Sequence, residues 1–266
     1  MSINFETVRR FALSLTVGLF VLLAAGTAAA EGPSGDEIID KALERNSLGF
    51  EEGTARTTLI IEDKAGNRRV RKLEVKSKKL DSGARTLVTL TAPKEVENQA
   101  FLFAENEDGE DDVWMYVPAF KVTRRIEGSQ KDGAFLGSHF TYADLESRPL
   151  EDGKYKRLDD GKIGEHEVYV VEVRPKEDVE SNYGKVRAYV RKSDYMPLKL
   201  KFYDKQDELE KTLFVEKLDE TEDGDKYIKR MTLRPEVGGY TTMKLESLDS
   251  ETEIPDSALT RDQLGK

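Results

Sequence analysis

From Thr54 onward the chain is written in alternation. TARTTLIIE, RRVRKLEVKSKK and ARTLVTLTA follow one another, parted by DKAGN and LDSG. A period of two marks a strand with one buried and one wet face, and Gly, Asp and Asn mark the turns between. AFLFAE, the acidic turn NEDGED and DVWMYVPAF add a further hairpin. Past Pro149 the pattern resumes in KYKRLDD, HEVYVVEVRP, GKVRAYVRKSD, LKLKFYD, LEKTLFVEKLD, KYIKRMTLRP and GYTTMKLESLD. In LKLKFYD, for example, Leu198, Leu200 and Phe202 share one face and Lys199 and Lys201 the other. About a dozen strands at roughly even spacing predict one antiparallel β domain, with no linker or repeat to divide it.

Two segments have helical period. Ser34 stands three residues before Glu37, a capping-box spacing, and Ile38, Ile39, Ala42 and Leu43 follow on one face. Near the other end, IPDSALTRDQL offers Pro255 as a first-turn residue of a short closing helix. Helices are therefore scarce, and a one-sided sheet of this size must bury its apolar face largely by its own curvature. The expected fold is mainly β with a few helices (α+β), a strongly curled antiparallel sheet with space for a ligand cavity.

The first thirty residues follow neither pattern. Arg9 and Arg10 precede an uncharged run from Phe11 to Ala25, and Ala28, Ala29 and Ala30 close it. Residues 1–30 read as a secretory signal peptide cleaved after Ala30, which leaves a single domain over 31–266 working in the periplasm. The chain carries 42 basic and 52 acidic side chains, a net charge of −10, which argues against a nucleic-acid partner. Cysteine is absent, so the sequence holds neither disulfide, thiolate metal site nor lipidated cysteine.

Catalytic signatures are missing: there is no phosphate loop, no Gly-x-Ser-x-Gly elbow and no His-Glu-x-x-His pair. His139 and His166 are the two histidines, and His139 with Asp144 and Glu146 does not share one helical face, so no metal and no cofactor is expected. The acidic stretch Glu105 to Asp112 misses the calcium-loop register and reads as a hairpin turn. In the basic strand Arg68 to Lys79, Lys72, Lys76 and Lys78 share a face that reads as solvated, with contact to an anionic membrane surface as the functional alternative.

One stretch, AFLGSHFTYADLE (Ala134 to Glu146), interrupts the alternation with three aromatics, a glycine and a histidine, and a second glycine, Gly133, stands just before it. Gly133 and Gly137 are candidate hinges, Phe135, Leu136, Phe140 and Tyr142 candidate occupants of an apolar cavity, and Thr141 with Asp144 starts a short helix.

The segment from Val113 to Leu150 resembles the divergent branch of the outer-membrane lipoprotein-sorting family, the LolA-like periplasmic carriers. The resemblance rests on Trp114, Tyr116 and Pro118, on Arg124, Arg125 and Ile126, and on Phe135, Gly137, Ser138, Phe140, Tyr142, Asp144 and Leu145. Downstream, MPLKLKFYD and the terminal Ile-Pro fit as well; at the position of His139 the family commonly has an acidic residue. What the resemblance implies is an unclosed barrel of about eleven strands around an apolar cavity, with helices as plug and lid. It further implies a non-enzymatic, monomeric carrier for the acyl chains of lipoproteins or for lipid. Trp114, Tyr116 and Phe120 join the cavity candidates. Its partners would be an inner-membrane transporter or exporter and an outer-membrane acceptor; a non-transporting accessory of an exporter of the resistance-nodulation-division type, or an envelope sensor, is the alternative.

Overall fold

The computed structural model describes residues 32–43, 52–106, 111–146, 153–177, 179, 181–222, 224 and 226–266. The chain divides into Met1–Gly32 and Pro33–Lys266, and of the first unit only Gly32 is described. The expected leader and the centre of the acidic turn, 107–110, lie outside the described residues.

Ser34 and Glu37 cap the opening helix α1 (Gly35–Leu43) reciprocally. The Ser34 amide donates to Glu37 Oε2 (2.9 Å) and the Glu37 amide to Ser34 Oγ (3.4 Å). Thirteen strands follow: β1 (Gly53–Glu62), β2 (Arg68–Leu80), β3 (Gly83–Ala92), β4 (Ala100–Ala104), β5 (Asp112–Val117), β6 (Val122–Ile126), β7 (Gly153–Ile163), β8 (His166–Pro175), β9 (Lys185–Arg191), β10 (Pro197–Tyr203), β11 (Leu209–Glu220), β12 (Lys226–Pro235) and β13 (Tyr240–Asp249). They form one antiparallel sheet in the order β6-β5-β4-β3-β2-β1-β13-β12-β11-β10-β9-β8-β7. Two meanders are thus joined along β1 and β13, and among the described residues β6 and β7 are left as the sheet's edges.

The alternation read from sequence becomes one continuous inner face. Ala55 and Leu59 of β1, Leu73 and Val75 of β2, Phe101 of β4, Met115 of β5, Val186 of β9, Phe202 of β10, Leu233 of β12 and Met243 of β13 belong to a single buried cluster. Helix α1 covers the β8–β9 end, where Ile38 and Ile39 pack on Val171, Val173, Ala188 and Val190.

The sheet curls strongly. Tyr142, in the connection between β6 and β7, rests on Phe101 of β4 with 5.9 Å between ring centres, while Asp144, two residues later, bonds Lys211 of β11. Those strands are six steps apart in the sheet, about 29 Å if it were flat at about 4.8 Å per step. Only a sheet bent round until its inner face confronts itself brings both within reach of two residues.

The C-terminal segment takes the outer face. Its two 3-10 turns, Asp256–Ala258 and Arg261–Gln263, replace the expected closing helix. Lys78 of β2 holds it by donating to the Ile254 carbonyl (2.9 Å) and pairing with Asp256 (3.0 Å), so one cation of the lysine face is committed internally.

Ser34→Ala removes half of the α1 capping box and should cost about 1 kcal/mol, read as a lowered urea midpoint with an unchanged slope.

Candidate functional site

Between the β5–β6 hairpin and the β6–β7 connection lies a cavity of about 660 Å³. Phe101 of β4 with Met115 and Val117 of β5 form its apolar base; Val122 and Arg124 of β6 and Arg71 of β2 line it from the sheet. The register explains why: Val117 faces Val122 and Met115 faces Arg124 across the hairpin, so these four side chains share the inner face. Phe120, in the hairpin turn, reaches the cavity while 77% exposed.

The opposite wall is the stretch singled out by sequence. It folds as a small loop closed by the Ala134–Thr141 bridge, with the Phe135 amide donating to the Phe140 carbonyl (2.8 Å). Three 3-10 turns, Gly128–Asp132, Phe135–Gly137 and Ala143–Leu145, take the place of the expected helical plug. Leu136 and Gly137 both have left-handed backbone, φ 55° and 69°, a conformation that costs a leucine about 1 kcal/mol. The turn presents Leu136 to the cavity beside Tyr142. Gly133 has φ −64°, which any residue adopts.

The candidates therefore separate by position. Phe120, Leu136, Gly137 and Tyr142 line the cavity. Phe135 and Phe140, 2% and 4% exposed, are buried in the main core, Phe135 edge-on to Phe101 (5.1 Å) and Tyr142 (5.6 Å). Trp114 and Tyr116 are corrected to the other side of the sheet, where they pack with Ala100, Leu102 and Leu264 and Arg261 lies over the Trp114 ring (4.4 Å). The alternation that turns Met115 and Val117 inward turns their neighbours out.

Charge fastens the loop. Asp144, whose side chain like that of Lys211 is 3% exposed, accepts from Lys211 Nζ (2.7 Å), from the Tyr183 hydroxyl (2.7 Å) and from the Thr141 amide (2.7 Å). The Asp144 amide donates back to Thr141 Oγ1 (3.2 Å), the capping pair expected from sequence. Burial first, and the Asp144 carboxylate second, push the Tyr183 phenol up, so it stays a neutral donor. At the near end, Lys131 pairs with Glu146 (2.9 Å) and donates to the Asp111 carbonyl (2.9 Å). Arg69 of β2 donates to the Gly137 carbonyl (3.0 Å).

His139 completes the fastening. Its amide donates to Thr241 Oγ1 of β13 (3.0 Å), and its Nδ1 shares a second hydrogen bond with the same hydroxyl (2.8 Å). Burial, followed by Arg69 and Lys211, lowers its pKa below the ordinary 6.5. With Asp144 and Glu146 committed to lysines, the three do not gather into a metal site, and none is formed among the described residues.

Asp144→Ala strands the buried Lys211 ammonium and should cost about 3–5 kcal/mol, whereas the double variant Asp144→Leu with Lys211→Met recovers much of it; urea unfolding of both decides. The histidine makes the loop acid-sensitive. Its stabilisation is complete above about pH 6.5 and falls below that value, because the unfolded imidazole protonates before the folded one. Amide protection across 134–142, taken relative to the intrinsic exchange rate at each pH, should fall as the pH drops below about 6.5, and His139→Gln should flatten the dependence.

A family model described as "-like: Uncharacterized protein" matches residues 82–266. No curated protein matches the chain significantly. Among solved structures, a domain from Vibrio parahaemolyticus, assigned provisionally to outer membrane lipoprotein sorting, is 29% identical, with a TM-score of 0.80 over 87% of this chain and 98% of its own. A DUF1329 family protein from Desulfovibrio piger (22% identity, TM-score 0.79, 86% and 97% covered) and a LolA superfamily protein from Nitrosomonas europaea (21%, 0.68, 87% and 100%) share the fold. The chain belongs to the family whose model it matches, and it shares its fold with the outer-membrane lipoprotein-sorting domain and the LolA superfamily protein.

Proposed function

We propose that the protein is a periplasmic carrier that binds acyl chains in the cavity beneath the β5–β6 hairpin and hands them to a membrane partner. The observation that carries this reading is the cavity itself, about 660 Å³ over Phe101, Met115 and Val117 in a sheet whose edges among the described residues are β6 and β7. Burial of a chain of about 16 carbons yields roughly 12 kcal/mol at about 0.8 per methylene, before the costs of ordering. Grip is therefore easy, and the demanding step is release.

The loop 134–146 suits that step, since it forms one wall of the cavity and is held by discrete polar ties rather than by the strand ladder. A carrier that trades some of the burial energy against those ties keeps its net affinity low enough for transfer. Donor and acceptor would be an inner-membrane transporter or exporter and an outer-membrane receptor. Phe120, exposed in the hairpin turn at the cavity, is the point at which such a partner or the membrane surface would first meet the protein.

The test is acyl occupancy. Purified protein should yield extractable acyl lipid or take up a fluorescent acyl chain, and Val117→Trp, which fills the cavity, should weaken uptake about tenfold with little change in melting temperature. A protein that takes up no apolar chain at all is an accessory or sensor module on the same scaffold, and the carrier reading fails.

A further inference from the structure

The chain is acidic, yet the cavity is not. Among the thirteen lining residues there is no Asp or Glu; the polar ones are Arg71, Gln99, Arg124 and Tyr142. With 52 acidic side chains against 42 basic ones, and with ion pairs spread over most of the sheet, an all-cationic lining is a local reversal of the molecule's charge.

The two guanidiniums are also uncommitted. Arg125, beside Arg124, pairs with Asp112 and Glu127 on the outer face, and Arg68 pairs with Glu62. Arg69 is spent on the Gly137 carbonyl. Arg71 and Arg124 make no ion pair among the described residues; the single polar contact is from Arg71 Nη1 to the neighbouring Val70 carbonyl (3.3 Å). Tyr142, its phenol kept neutral by burial despite the pull of Arg124, adds a hydroxyl donor to the same wall. Cations that line an apolar cavity without partners favour an anion brought by the ligand, and the planar guanidinium fork matches carboxylate and phosphate.

Size narrows the ligand further. Pockets of about 300–1,000 Å³ hold one drug-sized molecule, and 660 Å³ falls within that range. We propose that the cavity binds a single-chain amphiphile with an anionic headgroup, its chain over Phe101, Met115 and Val117 and its carboxylate or phosphate held by Arg71 and Arg124. This rests on the carrier reading and specifies its cargo.

Calorimetric titration of delipidated protein with palmitate, lysophosphatidylglycerol and uncharged monopalmitoylglycerol, each below its micellar concentration, tests it. At least one anionic probe should bind about tenfold or more tighter than the uncharged one, the yield of a charge-assisted hydrogen bond. Which of the two wins distinguishes a free fatty acid from a phospholipid. The preference should shrink with added salt, and in the double variant Arg71→Gln with Arg124→Gln it should vanish, while Arg71→Lys with Arg124→Lys retains part of it. Equal binding of charged and uncharged probes by the unmodified protein, or a preference that survives in the glutamine variant, overturns the headgroup assignment and leaves the carrier reading standing. If none of the three binds, the carrier reading falls and the assignment with it.

Discussion

The bond between Asp144 and Lys211 is the constraint around which the rest of the inner face is arranged. Two charges with side chains 3% exposed are costly to bury, and they are tolerated because each is satisfied: the carboxylate by Lys211, Tyr183 and the Thr141 amide, the ammonium also by its position over the Tyr183 and Phe202 rings. Around this point the connection between the sheet's two edges is drawn inward. With Asp144 fixed to β11 and Tyr142 seated against β4, the intervening inner face has one permitted curvature, and the space left beside the β5–β6 hairpin becomes the cavity.

Such a tie differs in kind from hydrophobic closure. Apolar contacts slide and exchange partners at little cost, whereas a buried ion pair is either made or broken, with several kcal/mol between the states. Phe135 and Phe140 supply area and Asp144 supplies position. The loop is thus held by position as well as by area, through its ties to Arg69, Lys211 and Thr241.

Much of this was legible in the residues. Period-two alternation located the strands from TARTTLIIE to GYTTMKLESLD, because one-sided burial leaves that imprint, and the Ser34–Glu37 spacing announced α1 because its cap is local. β6 escaped: VTRRI is short and its inward residues are Val122, Arg124 and Ile126, so a cation breaks the apolar alternation that marks the other strands. The same arginine, and Arg71, were invisible as cavity residues because cations on an inner face contradict the usual rule, and only the register reveals which way they point. Trp114 and Tyr116 entered as cavity candidates through the family resemblance, though the alternation around Met115 already assigned them to the other face. Lys211 lay unremarked within LEKTLFVEKLD, since its partner is 67 residues away and sequence carries no trace of that distance.

The strand order has a consequence for how the molecule comes into being. Each meander needs only near neighbours to assemble, but the seam between them pairs Ile61 with Thr241 and Thr54 with Asp249. The strands that line the cavity all belong to the first meander, but the loop that forms its opposite wall is fastened to Lys211 and Thr241, so that fastening waits until the last strands have been delivered. Closing the seam rests on contacts between the first and the last strand, the long-range kind that slows folding.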